Sequence, residues 1–260
     1  MAQDYLDFAV ETALGAGEII RNKYGRLKTW RTKEGRGDIV TEADTEAEDL
    51  IVSRIRAAFP SHSILTEESG SLPGDDADPT WYVDPLDGTG NYARSVPFFC
   101  TTLAVAHGNE LLAGATYDPL RNEMFKAAVG RGAYLNDNRL KLSPDANTED
   151  IMVSVSWSRR RPGSDKFPAY VARLAPHTSY LRRFGCAALA MAYVAAGRID
   201  AYIQGSINAW DIAAGVLLVS EAGGNVTGFE EKPVDLSRQY SDIVTANPAL
   251  HKWLLEEVLA

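Results

Sequence analysis

A mixed α and β fold, with sheets sandwiched between helix layers, is predicted by the way hydrophobic periods change along this 260-residue chain. Two amphipathic helical patterns come first. A run of short β-type segments with tight turn signals follows, and strand and helix then alternate to the end.

Leu6, Ala9, Val10, Ala13, Gly17, Ile20 and Tyr24 recur at three- and four-residue steps, which predicts a first helix stopped by Gly25. The polar stretch LKTWRTKEGRGD reads as a loop or exposed hairpin. Ala47, Leu50, Ile51, Ile55 and Ala58 predict a second helix over 44–59, ended by Pro60, and Thr41 with Asp44 forms a capping arrangement at its start. Segments rich in β-branched and aromatic residues then predict strands over 63–66, 81–84, 99–107, 111–117, 123–129 and 133–140. Gly108-Asn109, Asp118-Pro119 and Asn136-Asp137-Asn138 punctuate them as turns, so this sheet should be mostly antiparallel. From about Ser143 the rhythm changes to a strand over 151–156, a small-residue helix over 186–196, a strand over 199–204, a helix starting at Asp211, a strand over 242–246 and a last helix over 248–259. The chain is expected to form two halves: 1–142, carrying the main site motif, and 143–260, completing it.

Composition narrows the function. The balance of 45% apolar and 23% charged residues is that of an ordinary globular protein. A net charge of −9 argues against nucleic-acid binding, which needs a basic face to displace phosphate counterions. An acidic protein can still take a phosphate substrate if bound cations reverse the local field. Acidic residues interrupt the N-terminus early and no stretch is long and apolar enough for a signal peptide core or a membrane span, so a cytoplasmic protein without membrane contact is expected. Cys100 and Cys186 lie far apart without CxxC spacing and read as reduced, buried thiols rather than a disulfide or zinc site. Asn225-Val226-Thr227 matches a glycosylation sequon by chance.

The segment TWYVDPLDGTGNY carries the most chemistry. A hydrophobic strand delivers Asp84 at its end, Pro85 turns the chain, and Asp87 follows three residues on. Two carboxylates at a strand terminus can share a hard divalent cation. Gly88 lets backbone approach a ligand, and free N–H groups at the start of a helical turn suit a phosphate. Thr89 adds a hydroxyl beside both. Alone, an Asp-Pro turn followed by an Asp-Gly turn also accounts for the two carboxylates. The Asp-x-Asp-Gly-Thr of haloacid-dehalogenase-type phosphatases does not fit, because two residues separate Asp84 from Asp87.

WYVDPLDGTGNY and AWDIAAGVLLVSEAGG resemble the two signatures of the inositol monophosphatase family, and DIVTEAD and ILTEES match two further family segments in the family's order. The resemblance covers nearly the whole chain. It implies a layered α-β-α-β-α sandwich of the sugar-phosphatase type, with an antiparallel N-terminal sheet and a mixed C-terminal sheet. It also implies a lithium-sensitive, magnesium-dependent hydrolase of a small phosphate monoester, inositol monophosphate first, in a cytoplasmic homodimer. An all-oxygen ligand set agrees with magnesium rather than zinc.

Carried onto this chain, the resemblance makes Glu67, Asp84 and the Leu86 carbonyl ligands of a first ion, and Asp84, Asp87 and Asp211 ligands of a second, with two or three Mg2+ per site. Glu67 and Thr89 would orient and deprotonate the attacking water, with Asp44 fixing Thr89. Asp87, Gly88, Thr89, Gly185, Ala187 and Gln204 would meet the substrate. Taken alone, Asp44 and Asp211 read equally as helix caps, and Glu67 and Glu68 as part of an acidic loop. Gln204 stands where inositol-preferring members carry Glu, and Gly90 where Thr, Ser or Lys is common. Histidinol phosphate, fructose 1,6-bisphosphate and phosphoadenosine phosphate therefore stay open as substrates. A non-catalytic metal-binding descendant is the competing class, and an interaction scaffold using the basic SRRRP at 158–162 is a third. The glycine pair in GRGAYLN sits in a hairpin and does not read as a dinucleotide site.

Overall fold

The computed structural model describes residues 2–26, 30–32, 39–144, 151–157 and 166–260. The SRRRP cluster and most of the 27–38 stretch lie outside the described residues.

Helix α1 spans Ala2–Lys23, a short β1–β2 pair follows (Arg31–Thr32 and Ile39–Val40), and α2 spans Glu42–Ala58. The larger sheet is built from β3 (Ser63–Thr66), β4 (Gly70–Leu72), β5 (Thr80–Asp87), β6 (Cys100–His107), β7 (Glu110–Asp118), β8 (Glu123–Ala128), β9 (Gly132–Leu135) and β10 (Asn138–Arg139), with α3 (Thr89–Ala93) between β5 and β6. Its order is β10-β9-β8-β7-β6-β5-β3-β4. All pairs are antiparallel except β3 with β5. The second sheet comprises β11 (Met152–Trp157), β12 (Tyr180–Arg182), β13 (Ala201–Ile207), β14 (Asn225–Thr227) and β15 (Ser241–Ala246) in the order β12-β11-β13-β15-β14. It is mixed: β11 is parallel to β12 and β13, while β15 is antiparallel to β13 and β14. The remaining helices are α4 (Phe167–Leu174), α5 (Ala187–Ala195), α6 (Ala209–Glu221) and α7 (Pro248–Trp253), the last continuing as a π-turn over Leu254–Val258.

Three apolar cores show how these elements stack. The first lies between α1 and α2 and one face of the larger sheet, where Ile20, Ile51, Ile55, Trp81, Val83 and Leu103 are buried. Each such aliphatic side chain contributes about 1.5–3 kcal/mol on leaving water. The second fills the space between the two sheets, where α5 and α6 lie. The third sits under α4 and α7 on the far side of the second sheet. The layering is therefore α-β-α-β-α, as the resemblance implies. Burial on both faces explains why β6, CTTLAVAH, shows no apolar–polar alternation.

Close approach explains the small residues. An added Cβ at Gly17 of α1 would lie 2.4 Å from the Tyr117 ring of β7, and one at Gly215 of α6 would lie 2.7 Å from Met191 of α5. Ala and Gly let α5 and α6 share a narrow layer.

Several boundaries differ from the sequence reading. β5 does not end at Asp84 but runs to Asp87. The 133–140 segment is a hairpin of β9 and β10, since Asn136 takes a left-handed φ of 52° at its turn. β4 forms inside the supposed acidic loop, and α4, β12 and β14 were not predicted. Asp211 is the third residue of α6, not the first.

Candidate active site

The site begins at a defect in β5. Asp84 pairs with Thr102 of β6 and Asp87 with Cys100, so three steps on β5 face two on β6, a one-residue bulge. Pro85 has no N–H to give the ladder, which permits the irregularity here. The buried Asp84 carboxylate accepts the Leu86 N–H at 3.0 Å. Gly88 follows with φ of 93°, and an added Cβ would come within 3.0 Å of the Phe98 carbonyl and 3.2 Å of Cys186 Cβ. Only glycine fits that turn. No side-chain bond caps the α3 N-terminus that it opens.

β3 lies parallel beside β5, with Thr66 opposite Val83, and the Glu67 N–H extends the pairing to the Val83 carbonyl at 3.2 Å. Glu67 therefore follows β3 directly and stands on the strand next to Asp84. Glu48 of α2, buried beneath, holds this corner. Its carboxylate accepts the Thr66 hydroxyl, the Glu68 N–H at 3.1 Å and the Ser69 hydroxyl at 2.5 Å.

Two helices bring carboxylates in at their third residue. In α2, Asp44 accepts the Thr41 N–H (2.9 Å) and hydroxyl (2.5 Å) through Oδ2, closing a capping box, and the Thr89 hydroxyl (3.0 Å) through Oδ1. The same Thr89 oxygen lies 3.0 Å from the Leu86 carbonyl. In α6, Asp211 Oδ2 accepts from Asn208 N at 3.3 Å and Nδ2 at 3.4 Å, a second capping box. Asp87 turns inward to α5, where its Oδ2 accepts the Ala188 N–H at 2.6 Å and the Cys186 thiol at 3.2 Å.

These groups surround a cavity of about 550 Å³ lined by Glu67, Asp84, Leu86, Asp87, Gly88, Thr89, Gly185, Ala187, Gln204 and Asp211 among others. Every predicted site residue lines it except Asp44, which reaches it through Thr89. Glu68 does not line it. Among the described residues, no three of the four lining carboxylates offer oxygens all within 4.8 Å of one another, so they ring the cavity and do not crowd one point.

The electrostatics are those of concentrated negative charge. Burial holds the Asp84 carboxyl well above the usual range, and the charges of Glu67, Asp87 and Asp211 push the same way. Burial raises Asp87 from 3.8 to about 7, against the pull of the Ala188 N–H and the Cys186 thiol. Asp44 is raised by burial, with the Thr41 and Thr89 bonds opposing.

The sequence reading missed several residues. Arg94, Arg183 and Trp157 line the cavity wall, with the Arg183 guanidinium 4.6 Å from the Trp157 ring and bonded to the Trp157 carbonyl at 2.9 Å. Asn91 donates to the Phe98 and Phe184 carbonyls at 2.7 Å each, tying α3 to the chain before Gly185. Glu48 had a signal: Asp44, Ala47, Glu48, Ile51 and Ile55 share one helical stripe, and an acid on a buried stripe needs a partner. Cys100 and Cys186 are free thiols as read, but neighbours, their sulfurs 3.7 Å apart. The histidines hold structure: His62 Nδ1 accepts from Trp81 Nε1 at 3.1 Å, and His251 pairs with Thr227.

The layered fold thus closes around an acidic cleft beside the Gly88–Thr89 turn. Residues 1–260 match the inositol monophosphatase family, and the chain belongs to it. It is 36% identical to the inositol-1-monophosphatase of Synechocystis over 260 residues, 99% of this chain and 90% of that relative. It is 37% identical to Nus factor SuhB of Pasteurella multocida over 256 residues, covering 97% and 95% of the two chains. The structure of the extragenic suppressor protein suhB from Bartonella henselae superimposes with a TM-score of 0.91 at 33% identity, over 98% of each chain.

Proposed function

We propose that the protein is a magnesium-dependent phosphatase that hydrolyses a small phosphate monoester, with inositol monophosphate as its substrate. The observation that carries the reading is the ring of Glu67, Asp84, Asp87 and Asp211 around one cavity beside the Gly88–Thr89 turn. The donor set fits magnesium: it is all oxygen, and the forces on buried Asp84 are those of burial and like charge, which a cation relieves. Glu67, Asp84 and the Leu86 carbonyl are the groups assigned to one ion, and Asp84, Asp87 and Asp211 those assigned to a second, drawn together by side-chain rotation.

Bound magnesium supplies charge neutralisation for the phosphate dianion and a water of lowered pKa. The chain's own groups do the rest. Thr89 has one hydroxyl proton and two acceptors, Asp44 Oδ1 and the Leu86 carbonyl, so its oxygen keeps lone pairs for a water in the cavity. Asp44 Oδ1 holds that orientation. Glu67 receives the one proton the attacking water gives up, and the leaving alkoxide takes one proton back, so the net reaction consumes only water. The Gly88 turn and the open α3 N-terminus receive the phosphoryl oxygens.

The substrate reading is supported by the relatives named inositol-1-monophosphatase and by Gln204. The Tyr202 hydroxyl donates to Gln204 Oε1, which leaves the Gln204 amide N–H groups for the oxygens of a polyol. Relatives named Nus factor SuhB motivate a second reading, a partner-binding role with or without turnover. The complete carboxylate set favours catalysis. A homodimer in the cytoplasm belongs to the same proposal on the resemblance alone. Halves of 1–142 and 143–260 are supported by the larger sheet ending at Arg139 and the second beginning at Met152.

Phosphate release from inositol monophosphate, histidinol phosphate, fructose 1,6-bisphosphate and phosphoadenosine phosphate, with and without magnesium and with lithium added, tests the reading. Magnesium-dependent, lithium-inhibited turnover fastest on inositol monophosphate is expected. Turnover indifferent to chelator overturns the mechanism, and absence of turnover on all four favours the partner-binding role.

A further inference from the structure

Two thiols 86 positions apart in the chain converge on one carboxylate of the cavity. Cys100 enters from the first residue of β6 and Cys186 from the residue before α5. Their sulfurs lie 3.7 Å apart, and Cys186 Sγ lies 3.2 Å from Asp87 Oδ2. One ligand atom from each of the three residues falls within 4.8 Å of the others, the one such set of three or more among the described residues.

The sulfur–sulfur separation matches a tetrahedral soft-metal site. Zinc bonds thiolate sulfur at about 2.3 Å and carboxylate oxygen at about 2.0–2.2 Å. At a tetrahedral angle these lengths give a sulfur–sulfur edge of about 3.8 Å and a sulfur–oxygen edge of about 3.6 Å, so the Cys186–Asp87 contact of 3.2 Å opens slightly when a cation enters. From this geometry we infer that Cys100, Cys186 and Asp87 form a binding site for a soft divalent cation of the zinc or cadmium class, distinct in chemistry from the oxygen-lined set but sharing Asp87 with it.

The route to the site is open on one side. Cys186 and Asp87 line the cavity, while Cys100 is fully buried behind them. Three protein ligands leave a fourth position for water. Occupation exchanges two thiol protons for the cation: both S–H bonds break, two metal–sulfur bonds form, and two protons pass to solvent. The Cys186 thiol no longer donates to Asp87, and Asp87 is withdrawn from the groups assigned to magnesium. Soft cations thereby inhibit turnover, a consequence that rests on the phosphatase reading. Binding itself does not rest on it.

The test titrates the full chain, kept reduced with a phosphine, with cobalt(II) and with cadmium in saturating magnesium, and records thiolate-to-metal charge-transfer absorbance. A band saturating at one equivalent per chain is expected. Cys100→Ser keeps the side chain's size and removes one soft ligand. Loss of an outer-shell partner alone typically costs about 10–100-fold in affinity. The variant should therefore weaken the charge-transfer titration, and raise the zinc concentration for half-inhibition, by more than about tenfold. Cys186→Ser gives the second binding readout should the first variant fold poorly. The inference is overturned if the wild-type chain shows no charge-transfer band, or if both variants titrate like wild type. It is also overturned if zinc inhibits Cys100→Ser as it inhibits wild type, since zinc would then act at the oxygen ligands alone. Absence of phosphatase activity leaves the absorbance titration to decide.

Discussion

Replacing Asp87 by Asn should make the metal-free protein more stable at alkaline pH. Burial lifts the Asp87 carboxyl from 3.8 to about 7 in the folded chain. The folded state therefore keeps a proton that the unfolded chain releases. The stability tied to that proton is intact below about pH 4 and is lost as pH rises to 7. At about 1.4 kcal/mol per pH unit, the gap amounts to roughly 4 kcal/mol at pH 8. Asn escapes it but gives the Ala188 N–H a neutral acceptor in place of a charged one, a loss of about 1 kcal/mol. Water and salt relieve part of the remainder, which leaves a net gain of about 2–3 kcal/mol at pH 8 and nearly none at pH 4. For a chain of this size each kcal/mol moves the midpoint by about 2–4 °C, so the variant should melt roughly 5–10 °C higher.

The assay is thermal denaturation in excess chelator across pH 4 to 8, repeated with magnesium. A ligand at a hundredfold excess over its Kd adds about 2.7 kcal/mol to the state that binds it. Wild type should gain that increment and the variant much less, which narrows or inverts the order. Equal melting of the two proteins at pH 8 in chelator, or a difference that ignores pH, would refute the claim that burial holds a proton on Asp87 in the metal-free fold.

Thr89→Ala should lower kcat by about 10²–10⁴ with little change in KM, and Thr89→Ser should restore most of it, because the hydroxyl and not the methyl group faces Asp44; steady-state kinetics of the pair checks this. Glu48→Ala leaves the buried Thr66 hydroxyl without its acceptor, at about 1–3 kcal/mol, and frees the Glu68 N–H and the exposed Ser69 hydroxyl, which water can reach. It should cost activity as well as melting temperature, since Glu67 rides on that corner. Gly17→Ala should destabilise by about 1–3 kcal/mol despite its better helix propensity, because the new Cβ strikes the Tyr117 ring; phosphate release per folded molecule should be unchanged.

Hairpins were legible in the sequence because their turns are local. β6, β7 and β8 follow one another through Gly108-Asn109 and Asp118-Pro119, and their pairing needs no long-range information. β4 was not legible, since a three-residue edge strand among Ser, Gly and Pro has no pattern of its own. Nor was the continuation of β5 past Pro85, because a bulge depends on the partner strand. The parallel pairing of β3 with β5 has no local turn to announce it, since residues 67–79 separate the two strands. The Cys100–Cys186 contact was invisible for a similar reason: it requires α5 to dock on β5 and β6, and neither cysteine has a neighbour in sequence that hints at it.

The two readings offered for Asp44, helix cap and site residue, turn out not to compete. A carboxylate has two oxygens. Asp44 uses Oδ2 to close its own capping box and Oδ1 to hold Thr89. Asp211 likewise turns Oδ2 to Asn208 while its side chain lines the cavity. The capping box asks only one oxygen of its third residue, and a carboxylate there has a second, charged one to turn elsewhere. The third position of a helix also fixes a side chain near the positive end of the helix dipole, which favours an ionised carboxylate and offsets part of the burial that raises Asp44. A fold that must aim carboxylates into a cleft therefore gains by setting them at capped helix starts. That arrangement is why the cap, read alone, could not reveal the site.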